Sequence, residues 1–423
     1  MPSQGAMPGL PPLLKDRVFR RYWSGATVSL LGDRISGLAL PLAAILSLHA
    51  GAAQMGELTA AGLLPALAFS LPIGIWVDRS RSKRHLMIAS DILRALLIGC
   101  IPLLFVLGHL AFAELYGVAL LVGTLSLTFQ LAQNSLFPAF VTKDRYVDAN
   151  ALLQGSRAVS YLAGPSLGGF LVQLLSAPIA VLFDAFSYVV SALTLLGIAP
   201  QEPPPAPRTH QGASVGVRFL WHSPVLRPML LALATVNLFN YVFSALFLLY
   251  ASQGLHIGAA LIGLISGIGA MGAITGALVA GRLSRRIGVG RTLLFGTALF
   301  PAPLLLVPLA GGPRLLVLAL LLAAELGSGF GVMLLDISFG ALWTAHLPDE
   351  IRARVNGAFS FVNNGIRPIG ALLGGALPAL IGVHGTLWLG AVGALLGCLW
   401  LLPSPVPSLK SVEVQAQPAG IEA

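Results

Sequence analysis

The chain reads Gly-Ile-Trp-Val-Asp-Arg-Ser-Arg-Ser-Lys-Arg from Gly74 to Arg84, and this polar stretch separates two long apolar runs. It contains one acid, Asp78, and four bases. The bases are Arg79, Arg81, Lys83 and Arg84. Because only 10% of all residues are charged, such a group is typical of a short water-exposed turn between two membrane helices. The stretch therefore predicts a helical membrane protein, with this turn on the side where Lys and Arg accumulate.

The composition supports a membrane protein. Of the 423 residues 56% are hydrophobic, and the mean hydropathy is +0.85, so a folded chain of this length needs lipid to cover its apolar surface. The net charge of +9 does not indicate nucleic-acid binding, because the bases lie singly or in small groups between apolar runs. We expect the lipid bilayer to be a partner and nucleic acid not to be one.

No motif indicates an enzyme, a cofactor or a metal site. The two cysteines, Cys100 and Cys398, lie inside apolar segments and suggest neither a disulfide framework nor metal ligation. The sequence lacks a phosphate-binding loop of the Gly-x-x-x-x-Gly-Lys-Ser/Thr type and any nucleophile motif. The simplest energy source is then a proton gradient across the membrane.

Twelve apolar runs are long enough to cross a bilayer as helices, and none alternates like a barrel strand. They cover about 22–48, 54–77, 86–107, 112–140, 151–173, 177–199, 228–251, 258–281, 291–310, 315–343, 353–380 and 384–402. The sequence thus predicts an all-α membrane protein with twelve transmembrane spans.

The distribution of bases predicts the orientation of these spans. Of 25 Lys and Arg residues, 20 lie at the termini or in the loops that follow even-numbered spans. One, Arg314, lies in a loop after an odd-numbered span, and four lie within spans. Because bases accumulate on the cytoplasmic side, both termini are expected in the cytoplasm.

Two landmarks repeat along the chain and divide it into halves. Arg79 and Arg282 are separated by 203 residues, and so are Pro165 and Pro368. A shared offset indicates a duplicated six-helix unit, which is a transporter architecture. We expect a cytoplasmic N-terminus, two six-helix bundles joined by a linker with an amphipathic segment (Val217 to Met229), and a disordered tail. Their ranges are 1–21, 22–199, 200–227, 228–402 and 403–423.

Several motifs resemble those of the major facilitator superfamily. They are the Gly-x-x-x-Asp-Arg-x-x-x-Lys-Arg pattern that starts at Gly74, Ala-Gly-Pro-Ser-Leu-Gly-Gly at 163–169, and Asp-Ala-Phe-Ser-Tyr at 184–188. The subgroup that the chain resembles contains macrolide-efflux and enterobactin-exporter-like proteins. The resemblance implies a monomeric drug:proton antiporter of the bacterial inner membrane. It would export an antibiotic, a macrolide-like drug or a siderophore by alternating access. An importer or uniporter, and a non-transporting sensor or assembly subunit of the same fold, remain alternatives.

The basic turn and a glycine motif are the candidate gates. Asp78 is expected to meet the N-terminus of the eleventh span when the cytoplasmic ends close, with nearby bases pairing to Asp144 or Asp148. The alternative is a set of topology anchors. The cytoplasmic-gate residues are Gly74, Asp78, Arg79, Lys83 and Arg84. The outer-gate residues in the fifth span are Gly164, Pro165, Gly168 and Gly169, expected to pack against Gly263 and Gly267, unless they serve only generic helix packing.

Charged and polar side chains within the spans are the remaining candidates, because a buried charge is costly. Asp33 near the middle of the first span is the leading proton carrier, with Arg157 as its basic partner, although a permanent ion pair is equally open. Asp91 and Arg94 are expected to form a structural pair, and Asp184 to cap or pack the sixth span. Further proton-coupling candidates are Glu325, Asp336 and Arg367. Substrate-cavity candidates are Gln130, Gln133, Asn134, Asn237, Asn240 and Tyr241.

Overall fold

A computed structural model describes residues 12–198, 214–348 and 351–411, and these residues are almost entirely helical. The first eight helices are α1 (Arg17–Ser47), α2 (Ala52–Ala68), α3 (Ser70–Arg79), α4 (Lys83–Val106), α5 (Phe112–Phe140), α6 (Tyr146–Leu175), α7 (Ala177–Ala180) and α8 (Leu182–Leu196). The other eight are α9 (Ser214–His222), α10 (Leu226–Leu249), α11 (Ala259–Ile287), α12 (Val289–Leu299), α13 (Arg314–Ala345), α14 (Arg352–Ala376), α15 (Pro378–Leu395) and α16 (Cys398–Leu401).

Every one of the twelve predicted spans coincides with a helix or a pair of helices. Within the described residues, ten helices are long and apolar enough to cross a membrane, or eleven if the bent pair α2 and α3 is one span. The helix outside this set is α14, whose 25 residues include three arginines and three asparagines. The fold class predicted from the sequence is confirmed.

The start of α1 lies further toward the N-terminus than predicted. Asp16 is its N-cap, and one carboxylate oxygen accepts from the amides of Val18 at 2.7 Å and Phe19 at 3.1 Å. The cap brings the basic residues that precede the apolar run into the first two turns of the helix. Hydropathy alone placed the start at Tyr22, because a hydropathy pattern does not register capping.

The second predicted span is bent by 53° between α2 and α3. Pro72 lies in the first turn of α3 and has no N–H to donate to the carbonyl of Ala68, which removes one helical hydrogen bond at the break. The bend changes the direction of the ten-residue helix α3, which carries Asp78 and Arg79 at its end.

The linker and the tail differ in part from expectation. The predicted amphipathic segment is helical as α9, but the helix begins at Ser214 and ends at His222. The tail was predicted to be disordered, yet its first part packs onto α12: Val406 is fully buried, and the Gly290 amide donates to the Leu409 carbonyl at 3.0 Å. The apolar side chain of Val406 accounts for this order. Residues 199–213 and 412–423 lie outside the described residues.

The described chain divides into two compact units. The first contains residues 12–198 together with Ala251–Gly267, and its core is built mainly on α1, α4, α5 and α8. The second contains residues 214–250, 268–348 and 351–411, with a core between α10, α12, α13 and α14. Large apolar side chains are exposed on both units, such as Val106 (75%) and Leu315 (81%), which is the surface that lipid covers.

Candidate functional site

The first unit contains a cavity of about 360 Å³, which lies within the ~300–1,000 Å³ typical of small-molecule sites. It is lined by helices α1, α4, α5 and α6, and its wall mixes aromatic rings with charged and amide side chains. Five residues selected from the sequence line it: Asp33, Gln130, Gln133, Asn134 and Arg157. Side chains from three different helices, predicted separately, thus share one cavity.

Asp33 is held by a tyrosine. The Tyr188 hydroxyl on α8 donates to Asp33 Oδ1 at 2.6 Å, and Asp33 also lines the cavity. Tyr188 itself is 2% exposed, so its hydroxyl connects the cavity wall to the interior between α1 and α8. A short hydrogen bond to a carboxylate is among the stronger hydrogen bonds in proteins. Asp33 therefore contacts both the cavity and a buried polar cluster.

The buried polar cluster is centred on Arg94 of α4. Its guanidinium forms an ion pair with Asp91 one turn earlier, as the three-residue spacing predicts, and donates to Ser126 Oγ at 3.3 Å. The same group lies over the ring of Tyr188, 4.2 Å from the centroid, and 4.6 Å from that of Phe129. Asp91 and Arg94 are 0% and 2% exposed. The Asp91–Arg94 pair is consequently buried, and the Arg94 guanidinium packs on the ring of Tyr188, whose hydroxyl binds Asp33.

Asp184 is the residue whose importance the sequence analysis missed. It lies in the first turn of α8, as predicted, but only 1% of it is exposed, and it interacts electrostatically with Asp33 and Arg94. The Ser187 hydroxyl donates to it at 3.1 Å, and a Cβ added at Gly32 would come within 2.5 Å of Asp184 Oδ1. The available signal was spacing: positions 184, 187 and 188 share one helix face.

The predicted pairing of Asp33 with Arg157 is wrong for this structure. No ion pair within 4.0 Å joins Arg157 to an acid anywhere in the described residues. Arg157 projects into the cavity from α6, while Asp33 is turned toward Tyr188 on α8. Both residues line the cavity, but Asp33 is hydrogen-bonded to Tyr188 instead. Opposite charge alone was therefore not sufficient to predict the partner of Asp33.

The glycine motif of α6 faces two neighbours rather than one. Gly164 and Gly168 pack against α1, at Arg34 and Ile35. Gly169 packs against the start of α11, where a Cβ would come 2.9 Å from the Gly263 Cα. Residues four apart share a helix face, whereas 168 and 169 are about 100° apart, which explains the division. The expected packing against Gly263 is confirmed for Gly169, and it is wrong for Gly164 and Gly168.

Helices α6 and α11 also contact each other at Pro165 and Gly267. The carbonyl of Pro165 lies against Gly263, and Gly267 packs against Ser166 and the carbonyl of Leu162. The Ser166 hydroxyl is 3.4 Å from the Gly263 carbonyl. Within the first unit, α6 and the first turns of α11 are therefore in backbone contact.

A Gly169→Ala substitution is expected to lower the melting temperature of the detergent-solubilised protein by several degrees. The added methyl group would overlap backbone atoms of Ala259 and Gly263, and overpacking of this kind typically costs about 1–3 kcal/mol. Gly155→Ala in the same helix is the matched control, because a Cβ there meets nothing within 4 Å. Equal melting temperatures for the two variants would show that the close contact is not needed.

The basic turn is positioned between α3 and α4, whose start is capped by Ser82. Asp78 and Arg79 are exposed, and in the described part of the chain Arg79 forms no ion pair with Asp144 or Asp148. The pairing predicted for Arg79 is therefore wrong; side chains of exposed residues at a helix end are not held by packing. Gly74 has open space on its Cβ side.

Arg84 contacts the C-terminal end of α8, a contact that was not predicted from the sequence. Its guanidinium donates to the carbonyls of Leu195 at 3.0 Å and Leu196 at 3.1 Å, and Arg21 of α1 donates to that of Gly197. These carbonyls end α8, where a helix has unpaired acceptors and a partial negative charge. Two arginines from different helices thus cap α8. Lys83, the base that precedes Arg84 in the same turn, is buried, with 3% of its surface exposed.

Asp144 lies outside the spans, in the short 3₁₀ turn between α5 and α6. A hydrogen bond from the Thr142 hydroxyl holds the pKa of its carboxyl below the usual range. Asp144 therefore stays ionised at neutral pH, next to Arg145 at 3.8 Å.

The candidates of the second unit are more dispersed. Asn237 on α10 donates to Asn363 Oδ1 on α14 at 2.8 Å, and the Arg367 guanidinium lies 5.7 Å from the ring centroid of Tyr241. Asp336 is exposed and interacts electrostatically with Arg367.

The other acid of α13, Glu325, lies apart from Arg367. Its carboxylate faces α11, where a Cβ on Gly269 would come 3.0 Å from Glu325 Oε2. Asn240 is half-buried on α10, like its neighbour Tyr241. Arg367 thus interacts with Asp336, the more exposed of the two acids of α13.

Comparisons with known proteins agree with this architecture. The chain is 27% identical over 397 residues to the multidrug efflux pump Tap of Mycolicibacterium fortuitum, covering 88% of this chain and 91% of that protein. It is 25% identical over 371 residues to the enterobactin exporter EntS of Citrobacter koseri, covering 86% of each. A crystal structure of a variant of the nucleoside transporter NupG superposes with a TM-score of 0.74 at 13% identity, over 91% of this chain and 99% of that one.

The family assignment rests on the sequence as a whole. Residues 22–371 and 239–422 match the Major Facilitator Superfamily, so the matched ranges together extend from the first span to the tail. Members of this family are membrane transporters and not enzymes, in agreement with the motifs that the sequence lacks. This multi-pass membrane protein belongs to the Major Facilitator Superfamily.

Proposed function

We propose that this protein exports amphiphilic small molecules from the bacterial cytoplasm by proton antiport, with alternating access of a central site. The substrate class would be a macrolide-like or other antibiotic, or a siderophore. The relatives named as a multidrug efflux pump and an enterobactin exporter support export over import. Both termini would lie in the cytoplasm, as the placement of the bases indicates. The protein would lie in the inner membrane of a bacterium.

The observation that carries the proposal is the position of Asp33. Its carboxylate lines a cavity of small-molecule size and accepts a hydrogen bond from a hydroxyl that lies in the buried cluster. One guanidinium, Arg94, interacts electrostatically with the carboxylates of Asp33, Asp91 and Asp184, so this cluster contains more acids than bases. Since buried charge is costly, such a cluster favours exchange of a proton at the cavity wall.

The test of function is efflux from an exporter-deleted host and uptake into everted membrane vesicles made from it. A panel of antibiotics, dyes and siderophores is offered with an imposed pH gradient, and an ionophore then collapses the gradient. Accumulation that stops with the ionophore supports proton antiport. Transport whose rate does not depend on the pH gradient would favour a uniporter. If no compound is transported, a non-transporting protein of this fold is favoured.

Replacing Asp78 by Asn is expected to reduce transport and to shift the population of inward- and outward-open molecules. Asp78 is exposed at the end of α3 and accepts no hydrogen bond within the described residues, so its charge is available to a helix N-terminus. Arg81→Gln is the control, an exposed charge in the same turn. Double electron–electron resonance between spin labels at the helix ends measures the populations. An unchanged population in Asp78→Asn would make the turn an anchor only.

A further inference from the structure

The charged groups that line the cavity differ in whether a neighbouring side chain pairs with them or forms a hydrogen bond to them. Arg94 is buried and paired with Asp91, and Asp33 accepts the Tyr188 hydroxyl. Arg157 is exposed to the cavity and, within the described residues, forms no ion pair and no hydrogen bond. Arg157 is therefore a cavity-lining base without an ion-paired or hydrogen-bonded neighbour in the described part of the chain.

Arg157 is nevertheless well placed. The adjacent residue, Ser156, is buried, and its hydroxyl lies 2.8 Å from that of Thr27, which fixes α6 to α1 at this level. The wall of the same cavity supplies amide groups and aromatic rings. They belong to Gln133, Asn134, Asn150, Tyr22, Phe129 and Phe137. An arginine on a fixed helix, with hydrogen-bond donors and rings nearby, is the chemistry that recognises a planar anionic group.

We propose that Arg157 forms an anion-binding subsite, so that the exported substrate is an amphiphile with a carboxylate, sulfonate or similar anionic group on an aromatic or aliphatic body. This inference rests on the proposed export function and narrows its substrates to the acidic members, a siderophore or an acidic antibiotic, rather than a basic macrolide. The anionic group accepts from the Arg157 guanidinium and the neighbouring amides, while the rings contact the apolar body. A lipophilic cation is disfavoured at this position, because it would lie beside an unpaired guanidinium.

The test measures equilibrium binding of three naphthyl probes to the full chain in nanodiscs of zwitterionic lipid, by titration calorimetry against empty discs. Naphthalene-2-sulfonate is the anion, naphthalene-2-sulfonamide its neutral analogue, and 2-naphthylmethylammonium the cation. The anion is expected to bind about tenfold more tightly than the neutral probe, since hydrogen bonds to charged groups are the stronger ones. The cation is expected to bind most weakly.

Three variants locate the preference. Arg157→Gln is expected to bind the anion and the neutral probe equally, and Arg157→Lys to retain part of the difference because it keeps the charge. Arg218→Gln removes an exposed base of α9 in the second unit and is expected to bind like the unaltered protein. Equal binding of anion and neutral probe by the unaltered protein, a comparison that needs no variant, would overturn the subsite. So would a preference that survives in Arg157→Gln.

The binding test and the vesicle test fail separately. Binding is measured without a gradient, so a preference for the anion would stand even if no compound were driven across the vesicle membrane, and only the export proposal would then be lost. Driven efflux together with binding that ignores probe charge would keep the export proposal and overturn the subsite.

Discussion

Asp33→Asn is expected to abolish the pH-gradient-driven part of transport in everted vesicles while leaving substrate binding in place. An amide still accepts a hydrogen bond from the Tyr188 hydroxyl through its carbonyl oxygen, so the geometry at the cavity wall is retained. The amide does not take up and release a proton. Accumulation under the gradient should therefore fall to the level reached without one, a decrease of about 5- to 150-fold, which corresponds to a typical coupling free energy of about 1–3 kcal/mol.

The chain offers a matched control for this substitution. Glu57 on α2 also accepts a tyrosine hydroxyl, that of Tyr116 at 2.7 Å, but it does not line the cavity. Glu57→Gln therefore changes the same chemistry at a different place and should leave driven accumulation unchanged. Accumulation would be measured at several external pH values, with the same substrate concentration inside and outside in a second series to isolate exchange.

The pH profile separates coupling from structural damage. Exchange of substrate without a gradient should persist in Asp33→Asn and should no longer change with pH. If driven accumulation in this variant matched that of the unaltered protein, Asp33 would be only an acceptor for Tyr188, and the proton would be carried elsewhere. Tyr188→Phe gives a second measurement, because it removes the hydrogen bond and keeps the carboxylate.

The sequence predicts the architecture well because lipid imposes a simple rule. Every backbone group within hydrocarbon must pair inside its own helix, so span length and the placement of bases are read directly from the chain. The twelve segments follow from this rule. The bend before Ser70 and the early start at Asp16 do not, because they depend on one proline and one cap rather than on average hydropathy.

The candidate site is predictable only in part. Polar residues in apolar spans are few, so Asp33, Gln133 and Arg157 stand out, and all three line the cavity. Which helix each side chain faces is decided by packing between distant parts of the chain. Tyr188 lies 155 residues from Asp33, and Asp184 was assigned a local role because its position in the first turn of a helix resembles a cap.

The same limit applies to the partners of charged groups. Arg84 and Arg21 reach backbone carbonyls at the end of α8. A search for opposite charges in a sequence finds acids, whereas helix C-termini are acceptors that no residue type marks. Residue-level pairing is therefore reliable for Asp91 and Arg94, which share a helix, and unreliable between helices.

Arg94→Leu is expected to destabilise the protein more than any other single substitution considered for the first unit. The change leaves the Asp91 carboxylate buried without its cation, and breaking a buried pair in this way typically costs about 3–5 kcal/mol. It also removes the guanidinium from the faces of Tyr188 and Phe129. Thermal unfolding of the purified protein, followed by fluorescence-detected size-exclusion chromatography, measures the loss.

The double variant Asp91→Leu/Arg94→Leu distinguishes the stranded charge from the lost packing. Removing both partners leaves no uncompensated carboxylate, so the double variant should be more stable than Arg94→Leu alone. Arg34→Leu is the control, since Arg34 also lies over a tyrosine ring, that of Tyr161 at 3.6 Å, but forms no ion pair in the described residues. A double variant as unstable as the single one would show that packing, not charge, dominates.

The same pair of variants tests whether the ion pair serves only stability. Asp91 Oδ2 and Arg94 Nε have no hydrogen-bond partner within the described residues, although both atoms are buried. A purely structural pair is expected to satisfy its polar atoms, because each unsatisfied atom costs free energy. If the double variant folds but loses the pH dependence of driven accumulation, the cluster contributes to coupling through Tyr188 and Asp33. If it folds and keeps that dependence, the Asp91–Arg94 pair is structural, and Asp33 couples the proton without it.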